Sequence, residues 1–503
     1  MSTVTLGKNP EGQEINILLS MLNRHGLVAG ATGTGKTVTL QVMAESFANA
    51  GIPVFAADIK GDLSGLAKAS NNNEKILARV NKLNITNYEP KASPVVFWDI
   101  YKKTGLPLRT TVSELGPTLF ANLLDISEVQ EGVLQIAFKV ADDQGMLLLD
   151  LKDLKALLKW VDENKEAISA QYGRVASASI ASLQREILVL EEAGGDSFFG
   201  EPALQLEHLM QKDFSGKAAI SLLDATTLIN SPRIYCTFLL YLLSELFEQL
   251  PEMGDTPLPK LVFFFDEAHL LFDKASPVLL EKIEQLVRLI RSKGVGVFFV
   301  TQHPSDIPDK VSAQLGTRIQ HALRAFTPKE QNALKTAAQS FRQNPNLNSL
   351  ELLLLLAVGE ALVSTLNKDG VPNQVEHCIM APPQSQIGPI TNDERSAITS
   401  KLPFANLYSQ NIDRESAYEQ IKDRKVSAPS VNKKKSSRQG VGETFFKSII
   451  RTAGSSIARI LVNSVLGSSS KKKSSSGINS VIRSVGGTTG RQIMRGILGG
   501  ILK

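Results

Sequence analysis

Eight residues near the start of the chain have the types and the spacing of a phosphate cradle. Gly30, Ala31, Thr32, Gly33, Thr34, Gly35, Lys36 and Thr37 satisfy the pattern G-x-x-x-x-G-K-[ST] at every defined position. The chemistry dictates those types. Glycines let backbone N–H groups curl round phosphate oxygens, and the start of a helix adds partial positive charge. Lys36 is placed to reach the β- and γ-phosphates, and Thr37 to put its hydroxyl on Mg²⁺. The cofactors implied are ATP and Mg²⁺.

Phosphoryl transfer needs two further carboxylates, one on the metal shell and one to orient or deprotonate water. Residues 261–267, L-V-F-F-F-D-E, run five apolar residues into Asp266 and Glu267. The reading gives Asp266 to the Mg²⁺ shell and Glu267 to the attacking water, on a strand beside the phosphate loop. An acidic pair capping the next helix is the plainer alternative. His269 completes the letters D-E-A-H and reads as a packed or surface residue. Gln302 ends another apolar run, where an amide could bond both the γ-phosphate and the water. Asp58 ends a third run and is either a supporting or a structural acid. Arg288 and Arg291, spaced i, i+3 before the Gln302 run, and Arg24 are candidates for a transition-state arginine.

These residues need a sheet to bring them together. Residues 25–30, 53–58 and 94–100 are apolar runs separated by helical spacing. That rhythm predicts a parallel sheet covered by helices. Further strands are expected at 218–224, 260–266, 296–302 and 317–323, with 360–366 as the last. The fold class expected is α/β, with a mostly parallel sheet. The core covers 1–110 and 211–390, with an inserted helical subdomain at 111–210. A helical extension at 391–430 and a basic, partly disordered tail at 431–503 follow. Residues 381–390, rich in proline, are expected to leave the core. The apolar runs 236–243 and 352–358 are too short to span a membrane and read as buried helix or strand.

Composition narrows the classes. Hydrophobic residues at 43% and charged residues at 21% fit a globular protein. Aromatics at 6% argue against a base-stacking surface as the main feature. Cys236 and Cys378 are far apart and in no ligand spacing, which excludes a disulfide framework and a cysteine zinc site. With no signal pattern at the N-terminus, a cytoplasmic location is expected. The net charge of +5 conceals an asymmetry: residues 431–503 hold 14 Lys or Arg and one acid, Glu443. The first 430 residues are therefore acidic, with 41 basic against 49 acidic side chains.

Four motifs in order resemble the HerA/FtsK superfamily of ring-forming ATPase motors. They are residues 24–37, residues 58–62 (D-I-K-G-D), residues 263–267, and residues 291–305 with T-Q-H-P-S at their end. The resemblance spans about 1–390 and is greatest to the bacterial HerA-like ATPase group. It implies a RecA-like core, a homo-hexameric ring, and ATP bound between subunits. Lys36, Thr37, Asp266, Glu267 and Gln302 take the roles given above, and Arg288 or Arg291 becomes the arginine supplied in trans. Archaeal HerA-type helicases carry a β-barrel domain before the motor that docks a nuclease. Only 24 residues precede the first strand expected here, so no nuclease partner is expected.

Three functions follow. The leading one is a ring motor translocating or remodelling double-stranded DNA. The second moves protein or assembles a secretion machine, and the third is a nucleotide-gated scaffold. The tail bears on the third. Residues 445–461 place apolar side chains on one helical stripe, with Lys447, Arg451 and Arg459 mainly off it. Such a helix lies on an anionic membrane, docks on a protein partner, contacts DNA phosphates, or packs on its own ring. The first of these would make the protein membrane-peripheral.

Overall fold

The structure is a computed structural model that describes residues 2–427, apart from 255, 273–276 and 326. The tail at 431–503, with every expectation placed on it, lies outside the described residues. The described chain forms two compact units. One comprises residues up to 126 with 186–413, and the other 127–185 with 414–427.

Twelve strands of the first unit form one sheet. They are β1 Thr3–Lys8, β2 Glu14–Leu18, β3 Gly26–Ala29, β4 Val54–Asp58, β5 Val95–Asp99, β6 Leu106–Pro107, β7 Ile220–Asp224, β8 Leu261–Phe265, β9 Val295–Thr301, β10 Thr317–His321, β11 Glu360–Ser364 and β12 Glu376–Met380. Their order across the sheet is β2-β1-β12-β11-β10-β3-β9-β8-β4-β7-β5-β6. From β10 to β6 every pairing is parallel. From β10 outward to β2 every pairing is antiparallel.

Period-2 alternation explains how both faces are filled. Phe264 of β8 faces Phe47 and Phe298, with ring centroids 6.2 and 5.6 Å away. Its neighbour Phe263 faces the other way, onto Phe55 at 4.8 Å. Phe55 in turn meets Phe238 of the helix Pro232–Gln249 at 6.3 Å. Helices cover both faces, so the central strands are apolar throughout, and β9 is buried along its whole length. The helix α1, Lys36–Asn49, buries Leu40, Met43, Ala44, Phe47 and Ala48 in the main core.

Several expectations need correction. The sheet does not begin at residue 25, because the hairpin of β1 and β2 precedes it. It does not end at β11, because β12 returns antiparallel with Ala361 opposite Cys378. The acid-pair strand β8 is not beside β3, because β9 lies between them. The segment 381–390 does not leave the core. The Glu45 carboxylate accepts the N–H groups of Gln384 and Ser385 at 2.8 Å each, and Ser385 is fully buried. The run 352–358 is only partly buried: Leu353 is enclosed, while Leu354, Leu355 and Val358 are more than half exposed.

The second unit is helical. Asp153 is buried there in the helix Leu151–Glu163. Its carboxylate accepts the N–H groups of Leu149 and Tyr418, which ties that helix to Ala417–Ser427.

Candidate active site

Parallel strands bring their C-terminal ends to one edge, and ligands of open α/β sheets bind there. Along this edge stand Gly30 after β3, Gln302 after β9, Asp266 and Glu267 after β8, and Asp58 closing β4. Neighbouring strands lie about 4.8 Å apart, which puts the acid pair about 10 Å from the axis of β3. Gln302 stands between the two.

The phosphate loop is braced from below. Gly30 N–H donates to Thr301 O at 3.3 Å, and Ala31 N–H donates to Ala322 O at 3.0 Å. The Thr34 hydroxyl closes the turn onto Ala31 O at 2.7 Å. Gly359 N–H donates to Thr34 O at 2.9 Å, which holds the loop against the start of β11. Two glycines are required by this geometry. Gly30 has φ +153° and no room for a Cβ, which would stand 2.5 Å from that of His321. Gly35 has φ +113°, and its Cβ would meet Gly359 N at 3.0 Å.

What remains open is the N-terminus of α1. Gly35 is its N-cap and offers no side-chain cap, and no acid lies in the first turn. The N–H groups of that turn, on Lys36, Thr37 and Val38, have no partner within a helix. Lys36 lies among them, its ammonium donating to Gly30 O at 2.5 Å and Ala31 O at 3.2 Å. Burial lowers its pKa, while the charges of Glu267 and Asp266 act to raise it. Uncapped helical donors, a buried ammonium and a half-buried Thr37 hydroxyl form a donor set that fits a phosphate chain. Thr32 and Gly33 are exposed at the loop tip.

The acid pair is asymmetric. Burial and the neighbouring Glu267 charge push the Asp266 carboxyl up to about 6. An oxygen ligand of this kind gains from a divalent cation, and with the Thr37 hydroxyl it would fit Mg²⁺. A protein that offers one or two oxygens and leaves the rest to phosphate and water is the usual arrangement for that ion. Among the described residues no group of three or more His, Cys, Asp or Glu could hold a metal by itself.

Glu267 is shaped differently. Its backbone has φ +46°, rare for a residue with a side chain. Asp266 Oδ1 accepts its N–H at 3.0 Å. The carboxylate meets Lys60 Nζ at 2.9 Å, Gln302 Nε2 at 3.5 Å and His269 Nδ1 at 3.5 Å. Burial is the largest influence and would raise the Glu267 carboxyl, but the bond and charge of Lys60, with Gln302 and His269, together outweigh it and the group lies below its ordinary value. Glu267 is therefore an ionised acceptor at neutral pH.

Asp58 is buried behind this row. One of its carboxylate oxygens accepts Leu63 N–H at 3.1 Å. Burial, with the Asp266 charge beside it, raises the carboxyl to about 7. The arginines are elsewhere. Arg288 is exposed near the end of the helix Pro277–Ile290, and Arg291 is half-buried in the turn that follows. Arg24 precedes β3. All three stand at the N-terminal ends of the strands, so the described chain does not bring them to its own phosphate loop. The seven residues of β9 span about 23 Å.

Three contributors were not singled out from the sequence. Lys60 appeared only as a letter of D-I-K-G-D. His321 is fully buried, with Nε2 2.9 Å from Thr39 Oγ1 of α1 and Nδ1 2.9 Å from Glu360 O. Gly359 supplies the bond to Thr34 O. Only His321 lay within an element expected from the sequence, the strand at 317–323.

The family model described as "Helicase HerA-like C-terminal" matches residues 3–503. The chain belongs to this HerA-like family. No curated protein sequence matches it. Solved structures share the fold of the HerA-like chain. One is the bacterial conjugative coupling protein TrwBdeltaN70 in its unbound monoclinic form. It is 12% identical, covers 76% of this chain and 91% of its own, and has a TM-score of 0.51. The plasmid coupling protein TrwB in complex with the GTP analogue GDPNP is 12% identical over 78% and 92%, with a TM-score of 0.50. TrwB in complex with ADP and Mg²⁺ is 14% identical over 74% and 88%, with a TM-score of 0.50. The HerA-like core is thus a RecA-like P-loop fold on a mixed, mostly parallel sheet. No helix among the described residues is long and apolar enough to cross a membrane.

Proposed function

We propose that this HerA-like chain hydrolyses ATP with Mg²⁺ and uses the energy to translocate double-stranded DNA as a multi-subunit ring. The observation that carries the first half is the open N-terminus of α1, with Lys36 inside it, facing an ionised Glu267 on the same sheet edge. In this reading residues 30–37 wrap the phosphates, and Thr37 and Asp266 hold Mg²⁺. Bound there, Mg²⁺ neutralises phosphate charge and polarises the γ-phosphoryl group. Glu267 takes the proton from the attacking water, and Gln302 orients that water from the neighbouring strand. TrwB bound to ADP and Mg²⁺ or to a GTP analogue supports the choice of ligand.

The ring rests on the arginines. Arg288 and Arg291 stand at the edge of the sheet opposite their own phosphate loop, where a second subunit could receive them. DNA as the polymer rests on the family description and on likeness to conjugative coupling proteins. The decisive experiment is ATP turnover with and without duplex DNA, at low and at physiological salt. Stimulation by DNA that weakens with salt supports the reading. Turnover indifferent to DNA but raised by a protein partner would replace it with a protein-moving motor.

A further inference from the structure

We propose that Lys60 is a positioning residue for ATP hydrolysis, holding the Glu267 carboxylate in the orientation from which it accepts the proton of water. The inference rests on the hydrolysis reading above and adds to it a residue outside the phosphate loop, the acid pair and the arginines.

The geometry is specific. Lys60 Nζ lies 2.9 Å from Glu267 Oε1, while Gln302 Nε2 and His269 Nδ1 approach the other oxygen, each at 3.5 Å. The two carboxylate oxygens therefore have different neighbours. Lys60 fixes one, and the other turns toward the side chain assigned to the water. The backbone beneath adds to this. A φ of +46° and an N–H held by Asp266 Oδ1 fix the Glu267 backbone, and the side-chain torsions are left to be set by partners such as Lys60.

Lys60 is presented from a firm base. It stands two residues beyond the end of β4, where Asp58 accepts Leu63 N–H through its side chain and Ala225 N–H through its carbonyl. Gly61 then turns the chain with φ +79° into the short helix Asp62–Ala67. Because β4 is the strand next to β8, Lys60 and Glu267 leave neighbouring strands at the same sheet edge.

Stability does not account for the pair. The Lys60 side chain is 41% exposed, whereas that of Glu267 is 7% exposed. An ion pair with one partner in water contributes little to folding. Orientation of the buried partner is what the contact accomplishes.

The test compares the full-length wild type with Lys60→Ala, Lys60→Arg, Glu267→Gln and the double variant Lys60→Ala/Glu267→Gln. Two readouts are taken: steady-state ATP turnover, and equilibrium binding of a fluorescent ATP analogue. Lys60→Ala should lower kcat about tenfold or more and leave KM and analogue affinity within about twofold. Lys60→Arg should recover most of the loss, since a guanidinium can hold the same oxygen. In the double variant the loss should be no greater than in Glu267→Gln alone, because both changes remove one unit. A Lys60→Ala kcat equal to or above wild type overturns the proposal. So does a parallel loss of analogue binding, which would make Lys60 a phosphate ligand, and so does full additivity with Glu267→Gln. A wild type that binds the analogue but never hydrolyses ATP defeats the hydrolysis reading itself, and is told apart by needing no variant.

Discussion

His25 makes folding stability depend on pH in a way that can be worked out in advance. It is buried between two backbone groups. Nδ1 accepts Val297 N–H at 3.0 Å, so Nε2 carries the proton and donates to Val287 O at 2.8 Å. A second proton would have to go on Nδ1, which points at an N–H and has no acceptor. Burial, reinforced by the Arg291 charge, lowers its pKa from 6.5 to about 4. His321 is lowered to about 4 as well, by burial first and then by the Lys36 charge. The unfolded chain therefore takes up these protons before the folded one does. The stability is fully present above pH 6.5 and is lost as pH falls toward 4. A shift of about 2.5 units corresponds to about 3 kcal/mol per histidine at the acid limit, and about 2 kcal/mol is already lost at pH 5. Asp58 and Asp266 act in the opposite sense. Their raised folded-state values, about 7 and about 6, add stability as pH falls. A variant comparison cancels them. Asn keeps a side-chain oxygen that can accept Val297 N–H and does not titrate. Urea unfolding of wild type and His25→Asn at pH 7.5 and 5 isolates the effect. The variant should be less stable at pH 7.5, yet its change between the two pH values should differ from that of wild type by about 2 kcal/mol. An identical pH dependence in the two proteins refutes the assignment of a neutral, unprotonatable His25.

Three other outcomes follow from the same structure. Gly35→Ala places a Cβ 3.0 Å from Gly359 N at a positive φ, so it should cost about 1–3 kcal/mol in urea unfolding and weaken nucleotide binding more than tenfold. Retained affinity would show that the loop relaxes without Gly359. Mixing Arg291→Ala protein with Lys36→Ala protein should restore part of the ATP turnover, because one mixed interface keeps both groups. No recovery at any mixing ratio argues against a shared site. Removing residues 431–503 should leave basal turnover unchanged and reduce binding to anionic vesicles or duplex DNA at low salt. Equal binding by the shortened chain would take the attachment role away from the tail.

The site was legible where chemistry forces local sequence. A loop that wraps phosphate must spend glycines at fixed spacing, so residues 30–37 declare themselves. Strands buried on both faces must be apolar runs, so β3, β4, β5, β7, β8 and β9 were found within a residue or two. The strands that escaped lack that constraint. β1 and β2 carry polar residues between apolar ones, β12 begins with Glu376 and His377, and β6 is only two residues long. Strand order escaped for a different reason. No local pattern records that β9 enters between β3 and β8, although this decides that Gln302 separates the loop from the acid pair. Lys60 was silent because an ion pair is a property of two distant positions, and a lone lysine after a strand has many plausible fates. The exposed Leu354 and Leu355 misled because an apolar run carries no sign of which side chains the fold will cover.

The central claim is that Lys36 and Glu267 belong to one ATP-hydrolysing site. Mg²⁺-dependent ATP turnover, measured beside ATP binding for wild type, Lys36→Ala and Glu267→Gln, tests it most directly. Wild type should hydrolyse ATP, Lys36→Ala should lose nucleotide binding, and Glu267→Gln should bind ATP and keep it unhydrolysed, with turnover lower by about 10²–10⁴-fold. A Glu267→Gln protein that turns ATP over at the wild-type rate would contradict the account.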